Sequence, residues 1–298
     1  MHRLRVIITH TFFDCIMQPI YPVLLALGAT ILVVFAVLPF FTLGEDTLMY
    51  KSVGLDVILL SVLLATLFAT SKSIFEEIED RTMLTLMSKP LRRWEVLIGK
   101  YLGIILSALL GVLALGGVLV LCLWLRIPSD YMLRTTTINE YELKQILDYR
   151  LMHIMGLLPT LVLTWFQVSV LAAIGVTLST RFSLVVNLPT VILLYIAGNL
   201  MRFLFPLPEH TPAIARGAAW LLSLVLPYLQ IFDLRDLAVM QDVKVPGTAF
   251  VYDQRAIPFW ALWEYVGIAA IFAIAYVTFV LTIGLRLLQT RELGGGEG

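Results

Sequence analysis

The residues best placed to do work in this sequence lie in one stretch, 72–100, which reads KSIFEEIEDRTMLTLMSKPLRRWEVLIGK. Glu76, Glu77, Glu79 and Asp80 cover one side of a helix over its first turns, while Ile74, Phe75 and Ile78 share the other. Residues three and four apart are helix neighbours, so the segment offers a charged face and an apolar one. Lys89-Pro90 then interrupts it, because proline disfavours helical geometry in the residue before it. Pro90 is well suited to open the next helix. Arg92, Arg93 and Trp94 suit a membrane interface, where arginine snorkels and tryptophan is favoured. Gly99 and Gly103 follow at a small-xxx-small spacing that permits close helix contact. The chemistry on offer is that of a charged and an apolar surface on one short element, not bond-making.

No covalent catalyst is visible elsewhere. His2, His10, His153 and His210 are scattered, and no metal site is expected from them. Cys15 lies near the N-terminus and Cys122 inside an apolar run, which argues against a disulfide or a metal-binding pair. Neither a G-x-S-x-G nor an H-E-x-x-H pattern occurs. Gly99-Lys100 is not a phosphate-binding loop, since no glycine-rich turn precedes it, so the chain cannot hydrolyse ATP itself. Thr164, Gln167, Asn187 and Asn199 sit within apolar stretches. They line a path, or they hydrogen-bond between helices, at about 0.6–2 kcal/mol each. Asp56 and Glu264 read as interfacial, and Arg202 and Arg286 as snorkelling.

The elements that must position these residues follow from composition. The chain has 298 residues, 59% hydrophobic and only 14% charged. Its mean hydropathy of +0.91 is too high for one soluble core. Net charge is zero, so no basic surplus points to nucleic acid. Apolar stretches at Ile20–Phe41, Leu55–Ser71, Tyr101–Leu125, Ile154–Ser179, Leu184–Phe205 and Pro258–Leu288 are each long enough to span a bilayer. They are continuously apolar rather than alternating, so they are helices and not barrel strands. The expectation is an all-α polytopic bundle with six transmembrane helices, filling 1–298 as a single domain.

Around these spans, residues 1–18 predict an N-terminal interfacial helix. Arg3, His10, Asp14 and Gln18 form its polar stripe, on which Ile7 intrudes, and Leu4, Ile8, Phe12, Cys15 and Ile16 lie away from it, on a side where Arg5 intrudes. Gly217–Ile231 is short and broken by Pro227, and reads as a re-entrant helix before the last span, with a seventh span as the competing reading. Residues 206–257 form a proline-rich outer loop, residues 126–152 a second loop with room for a short surface helix, and the glycine tail is unstructured. With six spans both termini share a side. That side carries just over half of the 21 basic residues on less chain, Lys89, Arg92, Arg93 and Lys100 among them, which leans toward cytoplasmic termini.

The run E-x-E-D-R-T-M-x-x-L-M-S-K-P-L-R-R-W-E-V-L-I-G-K-Y-L-G resembles the signature of ABC-2 type permeases, the membrane subunits of ATP-binding-cassette exporters. Glu79, Thr82, Leu86, Pro90, Arg92, Arg93, Gly99 and Lys100 match the family pattern, while Arg81 stands where the family often has glycine. The layout of elbow helix, six spans and broken segment before the last span is similar too. The resemblance implies that 72–100 is a cytoplasmic coupling segment docking on an ABC ATPase subunit, with Glu76, Glu79, Asp80, Arg81, Thr82, Leu86, Pro90, Arg92 and Arg93 as coupling residues. Leu178–Ser183 would be a second contact. It further implies that no cofactor is bound by this chain, that ATP and Mg sit on the partner ATPase, that a second permease copy or homologue completes the path, and that the protein resides in the plasma (inner) membrane. Two rivals remain at this stage. An ATPase-independent transporter or channel predicts charges deep in the spans, where the sequence shows almost none. A non-transporting membrane assembly factor predicts no defined docking element.

Overall fold

The computed structural model describes residues 2–38, 46–77, 92–132, 140–204, 216–217, 226–239, 241–246 and 256–290. Eight α-helices follow in order: α1 (His2–Met17), α2 (Ile20–Val37), α3 (Asp46–Thr70), α4 (Arg93–Met132), α5 (Glu140–Ser179), α6 (Leu184–Leu204), α7 (Arg235–Ala238) and α8 (Phe259–Gln289). One π-helical turn, Ser71–Glu76, extends α3 without a break. A 3-10 turn, Leu229–Phe232, precedes α7, and two residues on either side of 245–256 pair as parallel strands, Val243 with Ile257.

Six of the described helices are long and apolar enough to cross a membrane, α2 to α6 and α8, in the number and order the sequence predicts. Their ends differ. α3 begins at Asp46, nine residues before the expected Leu55, and α4 and α5 each run for 40 residues. A 40-residue helix is about 60 Å long, twice the hydrocarbon thickness, so both project well beyond the apolar layer. Much of the predicted 126–152 loop is therefore helix. Hydropathy marks where lipid ends, whereas helical hydrogen bonding continues as long as the sequence tolerates it. Of the expected re-entrant segment, 218–225 lie outside the described residues; Gly217 is helical, and 226–228 run irregularly into the 3-10 turn.

α5 is the most enclosed span and α3 the next, with α2, α6 and α8 turning much apolar surface outward. Val23, Leu27, Val185, Leu193, Ile271 and Ile274 are among the exposed side chains, as expected where lipid replaces a protein core. Polar tips bind the helices to one another through backbone carbonyls. Tyr21 donates to Ser107 (2.7 Å), Tyr50 to Leu32 (3.1 Å), Tyr101 to Ser169 (3.1 Å), Trp165 to Ile105 (3.2 Å) and Thr177 to Val280 (3.1 Å).

α1 packs along the start of α4, and the glycine spacing explains how. A Cβ on Gly99 would stand 2.7 Å from Ile7 Cγ2, and one on Gly103 2.8 Å from the Ile8 carbonyl oxygen. The inward face of α1 comprises Leu4, Ile7, Ile8, Thr11 and Cys15, so Ile7 belongs to the seat rather than intruding on a polar stripe. His10 and Asp14 pair on the exposed side at 2.7 Å. Val6, Phe13 and Met17 form a third, exposed apolar stripe, consistent with a helix that touches protein, water and lipid. Burial and the neighbouring Asp14 push the Cys15 thiol up to about 11, against a lowering contact with Ser107.

Gly103→Leu is expected to unseat α1 at a cost of about 1–3 kcal/mol, the usual price of overpacking. Thermal unfolding in detergent should shift down, and maleimide should label Cys15 faster than in the parent protein. Unchanged labelling would show that α1 does not need this groove.

Candidate functional site

Two polar sites occupy opposite ends of the bundle. The first lies where α3 gives way to the π turn. Single π turns interrupt α-helices mostly at functional positions, because they redirect side chains and loosen carbonyls from the regular ladder. Here the Ser73 carbonyl receives the ammonium of Lys100, which also approaches Ser73 Oγ at 3.3 Å and Glu77 Oε2 at 2.5 Å. Lys100 is only 3% exposed and Glu77 29%. An ammonium so enclosed needs charge and hydrogen-bond partners, and it finds them at Ser73 of the π turn and at Glu77 just beyond it, with the charge of Asp14 adding to them. Beside this pair a hollow of ≈ 350 Å³ opens between the end of α1 and the π turn, lined by Asp14, Gln18, Lys72, Ser73 and Glu77 among others.

The same end is closed by two arginines. Arg93, at the start of α4, donates to the Leu288 and Gln289 carbonyls at 3.0 and 2.9 Å. Arg181, in the α5–α6 turn, donates to Thr290 Oγ1 at 2.7 Å. A helix C-terminus has unpaired carbonyls and partial negative charge, so cations there are stabilising. The π turn after α3, α4, the end of α8 and the α5–α6 turn are thus linked in series. Arg92 is exposed, and its N–H donates to Glu95 Oε2 at 3.0 Å, half of a capping box that starts α4. Of the other predicted coupling residues, Glu76 ends the π turn, and Glu79, Asp80, Arg81, Thr82, Leu86 and Pro90 lie outside the described residues.

The second site is a polar cavity of ≈ 80 Å³ at the other end, between α3, α5, α6 and the 229–238 strap. Thr160, Thr164 and Gln167 recur at helical spacing on one face of α5, and Tyr195 and Asn199 do so on α6. Asp56 of α3 and Asp233 and Arg235 of the strap complete the wall. Arg235 Nη2 meets Asp56 Oδ1 at 2.7 Å, with Asp233 Oδ1 3.6 Å from its Nε. Burial opposes the guanidinium charge, but the Asp56 bond and the nearby carboxylates outweigh it and raise its pKa above the ordinary value. Gln230 donates to the Asn199 carbonyl at 2.8 Å, and buried Lys51 to the Val239 carbonyl at 2.9 Å, so both ends of the strap are held down.

Three of the four polar residues singled out in the spans, Thr164, Gln167 and Asn199, therefore share this cavity. Asn187 does not. It is fully buried near the α5–α6 turn and donates to Ser179 Oγ at 2.7 Å and the Gly175 carbonyl at 3.2 Å. Sequence reasoning missed Lys51, Asp56, Glu77 and Lys100 as site residues, and it placed Asp56 at a watery span end. Because α3 starts at Asp46, Asp56 is three turns inside the helix. Lys51 is 1% exposed, its Nζ 3.0 Å from His153 Nδ1.

Among the described residues, fold and sites define a helical membrane protein with six helices able to span, a buried lysine–glutamate pair at one end and a strapped polar cavity at the other. A family profile described as ABC-2 family transporter protein matches residues 45–293, most of the chain, and the protein belongs to that family. It is a multi-pass membrane permease of an ABC-type transporter. Such permeases are generally non-catalytic and associate with an ABC ATPase subunit. A direct comparison with individual curated proteins returns no match.

Glu77→Gln leaves the Lys100 ammonium without its counter-charge and is expected to cost about 3 kcal/mol, as for other broken buried pairs. The double variant Lys100→Met with Glu77→Gln is expected to lose less than the sum of the losses of Lys100→Met and Glu77→Gln. Additive losses in this double-mutant cycle would show that the two groups do not act as a pair.

Proposed function

We propose that this chain is the permease subunit of an ABC-type exporter, forming the translocation path and drawing its energy from a separate ATPase subunit that carries ATP and Mg. Two permease halves, two copies or a copy and a homologue, complete the path in the plasma (inner) membrane. Both termini and the 72–100 segment face the cytoplasm. Residues 76–91 act as a coupling element. Glu76, Glu79, Asp80, Arg81, Thr82, Leu86 and Pro90 meet the ATPase, Arg92 and Arg93 join the element to α4, and Thr164, Gln167 and Asn199 line the path. The Leu178–Ser183 turn is the second contact.

The observation that carries this reading is the Lys100 anchor. A lever transmits force only if its base is fixed to the part it must move. Lys100 fixes the root of the segment to α4, and Arg93 fixes the first turn of α4 to the end of α8. Displacement of the segment is then delivered to α3, α4 and α8 together rather than lost in a slack loop. The cavity lies on the same α3 rod: Asp56 is 17 residues from Ser73, about 25 Å along the axis at 1.5 Å per residue. The acidic surface of the segment suits a basic groove on the partner, with electrostatics setting register and approach more than affinity.

Charge reversal at Glu79→Lys and Asp80→Lys is expected to abolish copurification with the ATPase subunit, or to uncouple its hydrolysis, while leaving the permease folded. Retention of both association and coupled turnover would remove the coupling role. A cysteine at position 164 in a cysteine-free background should change in accessibility to a small aqueous thiol reagent when ATP is added to the assembled complex. An unvarying signal there would remove the path role.

A further inference from the structure

The cavity between α3, α5, α6 and the strap has a chemical bias that a neutral passage does not need. Thr160 Oγ1 donates to the Leu157 carbonyl at 2.6 Å and Thr164 Oγ1 to the Thr160 carbonyl at 2.9 Å. Each hydroxyl has one proton and has spent it on backbone, so toward the cavity it can only accept. Asn199 likewise spends one of its N–H donors on the Tyr195 carbonyl, at 2.9 Å. Gln167 is 7% exposed, lines the cavity, and forms no hydrogen bond among the described residues. Its amide therefore faces the cavity, where solvent or a ligand can meet it. The charge is also unbalanced. Asp56 and Asp233, half-exposed at the mouth, face one guanidinium, that of Arg235, which leaves a carboxylate in excess.

The wall also holds donors on Tyr195, Gln167 and Arg235, but its threonine oxygens and surplus carboxylate favour a donor-rich cation. The volume of ≈ 80 Å³ holds a head group and a water or two, at about 30 Å³ per water, and no whole cargo molecule. We propose that this cavity is a binding subsite for a primary ammonium group. Its N–H donors meet the Thr160 and Thr164 hydroxyl oxygens and the Gln167 carbonyl oxygen, and its charge is met by Asp56. The incoming cation competes with Arg235 for Asp56, so occupancy loosens the strap from α3. This deepens the path role proposed above and rests on it, by giving the cargo a cationic amine.

The test uses the full chain in lipid nanodiscs without the ATPase, with propylammonium chloride as the probe and potassium chloride and sodium propionate as controls at equal ionic strength. The expected result is a saturable rise in melting temperature with propylammonium alone. Gln167→Leu and Asp56→Asn should each weaken the midpoint about tenfold, the usual scale for a charge-assisted contact. Gln167→Glu, which keeps shape and adds a carboxylate, should tighten it, so a variant that merely folds badly is told apart. No shift beyond that of potassium, a shift with propionate instead, or equal midpoints in all four proteins would overturn the subsite. Failure here leaves the ATP-dependent accessibility of position 164 untouched, whereas an invariant position 164 removes the path even if propylammonium binds.

Discussion

A charge that has left water must find another charge and other dipoles close by, and this constraint organises both ends of the molecule. Lys100 is the plainest case. Its ammonium is enclosed where α1, α3 and α4 meet, in surroundings whose low dielectric makes an unpaired ion several kcal/mol too costly. Satisfaction comes from a carbonyl that the π turn presents and from a carboxylate one turn further on. The π turn, the glycine groove that lets α1 seal the site, and the placement of Glu77 are all conditions for that single cation to be tolerated. Remove any of them and the segment beyond residue 77 loses its fixed root.

The opposite end applies the same rule to a different purpose. The strap that closes the polar cavity has an apolar underside, with Leu229, Phe232, Leu234 and Ala238 all buried, and that burial alone would hold it in place. The polar ties to Asp56, Asn199 and Lys51 fix where along α3 and α6 it sits. An ion pair half-exposed to water, as Asp56–Arg235 is, contributes little to stability. Its worth is positional, and an interaction of small net energy is one that can be exchanged. The deeply buried anchor at Lys100 and the half-exposed tie at Arg235 thus differ in the way a fixed joint differs from a movable one.

The bundle itself was legible from sequence because lipid imposes a coarse rule: about twenty apolar residues, helical, six times over. Ends were not legible. Lys51 and Asp56 lie before or at the edge of the predicted span, and a hydropathy reading places them near water, yet α3 already runs through both and turns each toward a protein partner. Lys100 was hidden for the same reason, since a lysine beside a predicted span start reads as interfacial until the facing turn is known. On α1 the error was one of rotation. Sorting residues into polar and apolar put Ile7 on the wrong side, because the face that matters is set by Gly99 and Gly103 on another helix. Thr164, Gln167 and Asn199 stood out as polar residues in apolar surroundings, but only spacing on α5 and α6 together separates them from Asn187, whose amide N–H groups are spent within its own hairpin.

α3 is where the two ends meet. It carries Asp56 at the cavity wall and runs, with no proline or glycine after Asp56, into the π turn that holds Ser73. An α-helix of that kind transmits axial displacement with little loss as far as Thr70, and the π turn beyond it supplies an identifiable cause for a bend at its root. α5 and α6, which form the rest of the cavity, do contain prolines, Pro159 and Pro189. Pro159 directly precedes Thr160, so the cavity wall on α5 begins where the hydrogen-bond ladder is already missing a rung. If force enters at the Lys100 anchor, a stiff α3 moving against a yielding α5 changes the cavity at the Asp56–Arg235 tie first, because that tie joins the rigid rod to the lightest element in the wall. The placement of a buried pair at one end of the rod and an exchangeable pair at the other follows the direction in which work would have to travel.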